Sequence, residues 1–221
     1  MANELAAAAE LNNNEFDVLP EEASRLRINY EIQLCGKSDR FLFDVSLVEG
    51  LEAENPTLRP DDPQLTVRPL RLGDYYRGFS QLLSQLTHVG SVSFDQFRDR
   101  FNSMCTSPQA YYILAIEHES SDTVESNTVV GCATLVLEWK FIHQCGFRGR
   151  VEDVVVSSAM RGKSLGKVLL NYLVALGKQL GCYKISLECK DHLVGFYEKF
   201  GFAKEQGQNY LVIRCDKKSS L

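Results

Sequence analysis

The stretch from Gly149 to Leu170 constrains the fold more than any other part of this 221-residue chain. A β-branched run ending in three valines is followed by a basic loop with glycines and then by leucines spaced three or four residues apart. The run is typical of a strand covered on both faces, and the leucines are typical of a helix with one buried face. The stretch therefore predicts a strand, a loop and a helix whose N-terminus would bind an anion such as a pyrophosphate.

The loop distinguishes between known anion-binding patterns. The nucleotide P-loop requires a glycine five residues before Gly162, where this chain has Ser157. The dinucleotide pattern also fails, because Gly162 and Gly166 are four residues apart. Residues Arg161–Gly166 instead resemble the acetyl-CoA loop of the GNAT acetyltransferases, Arg/Gln-x-x-Gly-x-Gly/Ala, with Ser164 replacing the usual central glycine.

The composition argues against several functional classes. The net charge is −5 and 44% of the residues are hydrophobic, which favours one globular domain with a tail. The absence of a basic stripe with interleaved aromatic residues predicts no nucleic-acid partner. No apolar run approaches the roughly 18 residues of a transmembrane segment. Seven cysteines without a C-x-x-C pair predict reduced thiols and no metal site. We expect a cytoplasmic protein, with peripheral attachment to internal membranes left open.

The remaining pattern predicts three regions. Residues 1–40 are expected to be a variable, weakly ordered extension, residues 41–64 a linker or docking segment, and residues 65–215 the domain. Predicted strands cover 65–70, 111–117, 129–139, 151–156, 183–188 and 210–213, and predicted helices cover 74–86, 94–105, 163–180 and 192–200. This order predicts an α/β fold with helices on both faces of a mixed sheet, which is also the element order of the GNAT acetyltransferases.

Four further segments are similar to the glucosamine 6-phosphate N-acetyltransferase family. They are residues 79–90, 140–143, 148–156 and 182–202, and the similarity extends over about residues 41–214. The resemblance implies a central, mostly antiparallel mixed sheet and acetyl transfer from acetyl-CoA to the 2-amino group of D-glucosamine 6-phosphate. The product would enter UDP-N-acetylglucosamine synthesis. Acetyl-CoA would be a co-substrate, with no permanently bound cofactor. The resemblance also implies a homodimer in which the C-terminal strand of one subunit helps to build the active site of the other.

The resemblance assigns the donor substrate to the opening stretch. The backbone of Val154, Val155 and Val156 would pair with the pantetheine arm, and an N–H there would donate to the thioester oxygen. The residues that would hold the pyrophosphate are Arg161, Gly162, Lys163, Ser164, Leu165 and Gly166. Tyr197 would lie near the sulfur, where it could protonate the departing thiolate.

The acceptor sugar is assigned to side chains from several segments. Glu152, Asp153 and Glu188 match the acids on the sugar side, and Glu152 and Glu188 join Tyr197 as catalytic candidates. Further substrate-binding candidates are Thr87, Lys140, Phe141, Ile142 and His143, together with Arg214, which would reach the partner subunit's site. Leu193 departs from the family pattern, which has an asparagine there.

Two alternative functions remain open. The chain could be another acetyltransferase of the same fold that acts on a small amine or a protein lysine, since an acidic protein attracts basic substrates. It could instead be a non-catalytic acetyl-CoA-binding subunit. Structural roles compete as well: Tyr197 could be a core aromatic residue, and Glu152 and Glu188 could be solvated strand ends. A nucleophilic Cys189 is disfavoured, because the carboxylate of the adjacent Glu188 would oppose thiolate formation.

Overall fold

Five strands form one sheet in the order β1-β2-β3-β4-β5. They are β1 Leu65–Pro69, β2 Tyr111–His118, β3 Thr128–Trp139, β4 Phe147–Val156 and β5 Cys182–Leu187. Neighbouring strands from β1 to β4 are antiparallel, whereas β5 is parallel to β4. The sheet is therefore mixed and mostly antiparallel, as predicted. This computed structural model describes residues 40–107, 109–119 and 128–213.

Helices cover both faces of the sheet. They are α1 Ser46–Glu54, α2 Phe79–Leu83, α3 Phe94–Thr106, α4 Leu165–Gln179 and α5 Val194–Tyr197. Alternation along β2 separates two hydrophobic cores, because successive side chains of a strand point to opposite faces. Leu114 and Ile116 share one core with α1 and α4, whereas Ile113 and Ala115 share the other with α2 and α3. None of the described helices has both the length and the apolar character needed to span a membrane.

The segment 41–64 is not a linker. Helix α1 lies within it, and the exposed fractions of Val48 and Leu51 are only 2% and 5%. Both side chains belong to the core that contains α4, and Leu58 joins them after a short 3-10 segment at Pro56–Leu58. These residues are part of the same compact unit as the rest of the domain. The linker interpretation is therefore wrong. The predicted extension lies outside the described residues, apart from Arg40.

The predicted helix over 74–86 is interrupted. The structure has a 3-10 segment at Leu72–Tyr75 and then α2, which begins after Gly78. Gly78 has φ +86°, a left-handed conformation that glycine adopts without strain and that cannot continue a right-handed helix.

The predicted final strand at 210–213 is also incorrect. Tyr210–Ile213 is irregular in the structure and pairs with no strand among the described residues, and Leu211 and Ile213 are each 89% exposed. An apolar extended segment becomes a strand only where a sheet edge accepts it. Arg214 lies outside the described residues.

A buried ion cluster joins β1, β2 and the turn before α2. Arg68 donates two hydrogen bonds to the Asp74 carboxylate, at 2.8 and 2.7 Å, and one to Glu117 at 2.8 Å. Burial alone would raise the pKa of Glu117, but Arg68, Arg71 and Arg77 outweigh it and hold that pKa below its ordinary value. The cluster fixes the turn that precedes α2.

Candidate active site

A β-bulge in β4 opens the site. Cys132 pairs with Val155 and Thr134 pairs with Glu152, so one residue of β3 lies opposite two residues of β4. Asp153 is one of those two residues and has φ +51°, and its carbonyl oxygen accepts a hydrogen bond from the Cys132 thiol at 3.7 Å. The pairing of β4 with β5 ends just before the bulge. The two strands therefore separate at Asp153.

A cleft of about 700 Å³ lies beyond this separation. Strand β4, the following loop, the start of α4 and the segment around α5 form its walls. The lining residues are Gln85, Leu86, Val154, Val155, Val156, Met160, Arg161, Gly162, Ser164, Leu165, Gly166, Lys167, Leu193, Phe196, Tyr197, Lys199 and Phe200. Every predicted cofactor-binding residue except Lys163 contributes to this lining. This volume lies within the range of small-molecule and cofactor binding sites.

The N-terminus of α4 lies at one wall of the cleft. The first helical hydrogen bonds are donated by Lys167 and Val168 to the Ser164 carbonyl, at 2.9 and 3.1 Å. The N–H groups of Leu165 and Gly166 precede these bonds and belong to the first turn, where N–H groups have no helical partner. Together with the helix dipole, they form a site suited to a phosphate group.

Backbone conformation explains the glycine pattern of this loop. Gly162 has φ +86° and Ser164 has φ +58°, so both adopt left-handed conformations. A glycine at position 164 would adopt this conformation without strain, whereas serine pays a small steric cost. A Cβ atom added at Gly166 would lie 3.6 Å from the Phe196 ring, which is an ordinary contact. Position 166 therefore tolerates alanine.

The cations of the cleft differ from those predicted. The Lys163 ammonium lies 3.1 Å from the Asp62 carboxylate and does not contribute to the lining. Lys167 and Lys199 contribute instead, alongside Arg161. The partner of Lys163 lies 101 residues away in sequence. The residues that surround Lys163 in the sequence cannot indicate such a distant contact.

Tyr197 also lines the cleft, at the end of α5. Its ring is 5.1 Å from that of Phe196, and both line the cleft. Burial, and then the neighbouring Cys189 thiol, raise the pKa of Tyr197 above its ordinary value. The phenol therefore stays protonated at neutral pH and can donate a proton or a hydrogen bond.

Two of the predicted acids are held together at the strand separation. Arg150 Nε lies 2.5 Å from Glu152, and Arg150 Nη2 lies 2.8 Å from Glu188. Glu152 is on β4 and Glu188 directly follows β5, so the arginine links the two diverging strands. Burial raises the pKa of the neighbouring Asp153. Arg150 was missed from the sequence, although its alternation with Glu152 places both on one face of a strand.

The predicted sugar-binding residues Lys140–His143 lie elsewhere. They follow β3 in the turn before β4, where Lys140 lies 2.6 Å from Glu138 and the His143 ring is 4.0 Å from that of Tyr183. None of the four lines the cleft, and Phe141 is 97% exposed. The seven steps along β4 from Phe147 to Val154 span about 23 Å. Within one chain, this turn and the cleft therefore lie at opposite ends of β4.

The segment after α2 contributes Gln85 and Leu86 to the cleft, whereas the predicted Thr87 does not line it. The Gln85 side-chain oxygen accepts the N–H of Ser158 at 2.8 Å. Ser158 begins the 3-10 segment that leads into the loop at Arg161. Gln85 thus fixes the loop as well as lining the cleft, a role that its sequence position did not indicate.

Comparisons with known proteins agree with this geometry. The sequence model of the Acetyltransferase (GNAT) family matches residues 79–202. The chain is 49% identical over 163 residues to a Drosophila melanogaster protein named "Probable glucosamine 6-phosphate N-acetyltransferase", covering 73% of this chain and 72% of the relative. It is 38% identical to "Glucosamine 6-phosphate N-acetyltransferase 1" of Dictyostelium discoideum, covering 65% of this chain and 88% of the relative. The crystal structure of glucosamine-6-phosphate N-acetyltransferase from Arabidopsis thaliana superposes with a TM-score of 0.61 at 35% identity, covering 68% and 99% of the two chains.

Proposed function

This chain belongs to the acetyltransferase (GNAT) family, and we propose that it transfers the acetyl group of acetyl-CoA to the 2-amino group of D-glucosamine 6-phosphate. The products are N-acetyl-D-glucosamine 6-phosphate and CoA. The observation that carries this proposal is the arrangement of Glu152 and Glu188 where β4 and β5 separate, next to a cleft lined by Val154–Val156 and Tyr197. One strand thus joins a donor site to an acceptor site.

Acetyl-CoA is proposed to occupy the cleft. The N–H groups at the start of α4, with Arg161 and Lys167, would hold its pyrophosphate by charge-assisted hydrogen bonds. The strand separation exposes β4 backbone groups at Val154–Val156, which would otherwise pair with β5. These groups would hold the pantetheine arm in an extended conformation, and one N–H would stabilise the oxyanion. Loss of one such donor typically lowers kcat by about 10²–10³-fold.

We propose direct attack of the sugar amine on the thioester carbon. The acceptor ammonium first loses a proton, and the neutral amine then forms the C–N bond. The C–S bond breaks as the tetrahedral intermediate collapses, and the thiolate takes a proton from Tyr197. The new C–N nitrogen still carries two protons after the attack; it releases one of them to form the amide, and that proton restores the Tyr197 phenol. Glu152, Asp153 and Glu188 would orient the sugar through its hydroxyl groups and its amino group. These reaction steps require no acyl-enzyme intermediate. No cofactor is proposed to remain permanently bound.

A homodimer would complete the acceptor site. The support is that residues 140–143 lie in the turn between β3 and β4 and that none of them lines the cleft. Phe141, Ile142 and the Tyr210–Ile213 segment also expose apolar side chains, as expected of surfaces that a second subunit covers. We propose that Lys140 and His143, with Arg214 beyond the described residues, bind the 6-phosphate in the partner's site. The cytoplasmic location stays a prediction.

Purified protein incubated with acetyl-CoA and one of three acceptors tests the function. Thiol release is followed with glucosamine 6-phosphate, unphosphorylated glucosamine or spermidine. We expect turnover with the phosphosugar and at least about 10-fold lower kcat/KM without the phosphate, since that group supplies charge-assisted contacts. Equal turnover of the two sugars would contradict the phosphate role. Preference for spermidine would indicate a small-amine acetyltransferase, and acetyl-CoA binding without any turnover would indicate a non-catalytic subunit.

A further inference from the structure

Arg150 connects the two sides of the strand separation. Its Nε lies 2.5 Å from Oε1 of Glu152 on β4, and its Nη2 lies 2.8 Å from Oε1 of Glu188, which follows β5. Pairing between these strands ends with Val151 opposite Leu187, immediately before the two acids. A single guanidinium therefore bridges two carboxylates whose strands no longer hold each other.

The other charged side chains near Arg150 on the same face of the sheet have ion-pair partners of their own. The charged groups around Arg150 are Glu138 on the neighbouring β3, Arg148 and Glu152 on its own strand β4, and Glu188 after β5. Glu138 lies 2.6 Å from the Lys140 ammonium and 3.8 Å from Arg148. Arg148 also donates to the Ser186 hydroxyl at 2.8 Å. Arg150 is thus the cation in direct contact with Glu152 and Glu188 on this face of the described residues.

We propose that Arg150 is a positioning residue that sets the charge of the acceptor site, so that the bound amine loses its proton near neutral pH. It acts through Glu152 and Glu188 and does not itself touch the reacting atoms. With Arg150 present, the two carboxylates and the guanidinium carry one net negative charge. Without it they would carry two.

The charge matters because the nucleophile must be neutral. Carboxylates close to an ammonium group favour the protonated form and raise its pKa, and a nearby cation has the opposite effect. Two uncompensated acids would bind the ammonium well but would keep it protonated. The guanidinium leaves enough negative charge to attract the amine and lowers the cost of deprotonation. The bridge also holds the carboxylates at a fixed separation, whereas two unpaired carboxylates would repel each other.

This inference rests on the proposed function, and its test is the pH dependence of kcat. Wild-type protein, Arg150→Met, Arg150→Lys and Arg148→Met are assayed by thiol release with both substrates saturating. We expect the acidic limb of the profile to move to higher pH by about 0.5–1 unit in Arg150→Met, with kcat recovering at high pH. Arg150→Lys keeps the charge and should shift by less than half as much. Arg148→Met is the matched control on the same strand face and should leave the limb in place.

The bridge is half-exposed, and ion pairs of this kind contribute little to folding stability. Circular dichroism confirms that each variant is folded, and Arg150→Gln replaces Arg150→Met if the latter is not. An unchanged acidic limb in the neutral variant would overturn the proposal. A rise of 10-fold or more in the phosphosugar KM without a shift of the limb would also overturn it, because Arg150 would then bind the phosphate. Absence of wild-type turnover with the phosphosugar would instead refute the proposed function, and this inference with it.

Discussion

The side-chain oxygen of Gln85 accepts the backbone N–H of Ser158 at 2.8 Å, and so joins the end of α2 to the turn that enters the anion-binding loop. Gln85 follows α2, and Ser158 begins a short 3-10 segment after β4. The bond connects the α2 wall of the cleft with the loop that follows β4. Binding of acetyl-CoA should therefore depend on a residue far from the loop in sequence.

Gln85→Ala should raise the KM for acetyl-CoA by about 2–10-fold, because the lost hydrogen bond frees the Ser158 turn. Gln85→Glu keeps the acceptor oxygen and is the matched control, with a KM close to that of the wild type. Initial rates at varied acetyl-CoA concentration check the result. A similar rise in both variants would mean that contact with the ligand, and not the bond to Ser158, gives Gln85 its role.

Ser164→Gly should leave the free energy of unfolding unchanged or raise it by up to about 1 kcal/mol, because relief of the left-handed conformation outweighs the added chain entropy. Ser164→Val should lower it by about 1–3 kcal/mol, since a β-branched residue fits this conformation poorly. Urea denaturation of the pair measures both values. If valine were tolerated as well as glycine, φ +58° at position 164 would not be a constraint.

Tyr197→Phe should lower kcat by about 10–100-fold with little change in the KM for acetyl-CoA, because the phenol protonates the thiolate while the ring still packs in the wall. The raised pKa of Tyr197 keeps that proton in place over the neutral range. Steady-state kinetics measure both constants, and Phe200→Tyr is a control that alters another ring of the same wall. An unchanged kcat in Tyr197→Phe would limit Tyr197 to packing.

Arg68→Met should destabilise the domain by about 3–5 kcal/mol, because it leaves Asp74 and Glu117 as buried carboxylates without their main partner. The control is Arg98→Met, which removes an exposed ion pair with Asp95 on α3 and should cost less than about 1 kcal/mol. Chemical denaturation of both variants gives the difference. Equal losses would show that the buried cluster contributes no more than a surface pair.

Stability should fall in acid as Glu117 titrates. The pKa of Glu117 in the folded protein is held below its ordinary value of 4.5, so its contribution is complete above that value and is lost as the pH falls through the lowered pKa. We expect the free energy of unfolding to fall more steeply between about pH 5 and pH 3 in the wild type than in Glu117→Gln. If the free energy of unfolding fell equally with pH in both proteins, other carboxylates would account for the acid sensitivity.

The strongest sequence signals were local. Leucines spaced along one helix face predicted α4 to within two residues at each end, and the alternating or continuous apolar runs predicted the interior strands. The loop at Arg161–Gly166 was predicted with its position at the N-terminus of α4, because glycines and a helix start are encoded within a few residues. The donor side of the site was therefore readable from contiguous sequence.

Features that depend on distant parts of the chain were not predicted. Lys163 binds Asp62, and Arg150 reaches Glu188 on another strand, neither of which a local pattern encodes. The 41–64 segment was predicted to be a linker or docking segment. Its polar residues and prolines favoured a linker, and they outweighed three apolar residues that α4 helps to bury. The 210–213 run has strand-like composition, but composition cannot supply the edge with which it would pair.

The bulge at Asp153 has a consequence for the whole of β4: it reverses the phase of the alternation along the strand. Before it, Val151 packs in the core that contains α4, whereas Arg150 and Glu152 face the other way. After it, the even-numbered Val154 and Val156 pack against that same core. In an unbroken strand, Glu152 and Val154 would share a face, and the carboxylate would be driven into the hydrophobic interior. One extra residue thus allows a single strand to carry charged side chains before the bulge and apolar side chains on both faces after it. Deletion of one residue at the bulge should therefore abolish folding and catalysis together.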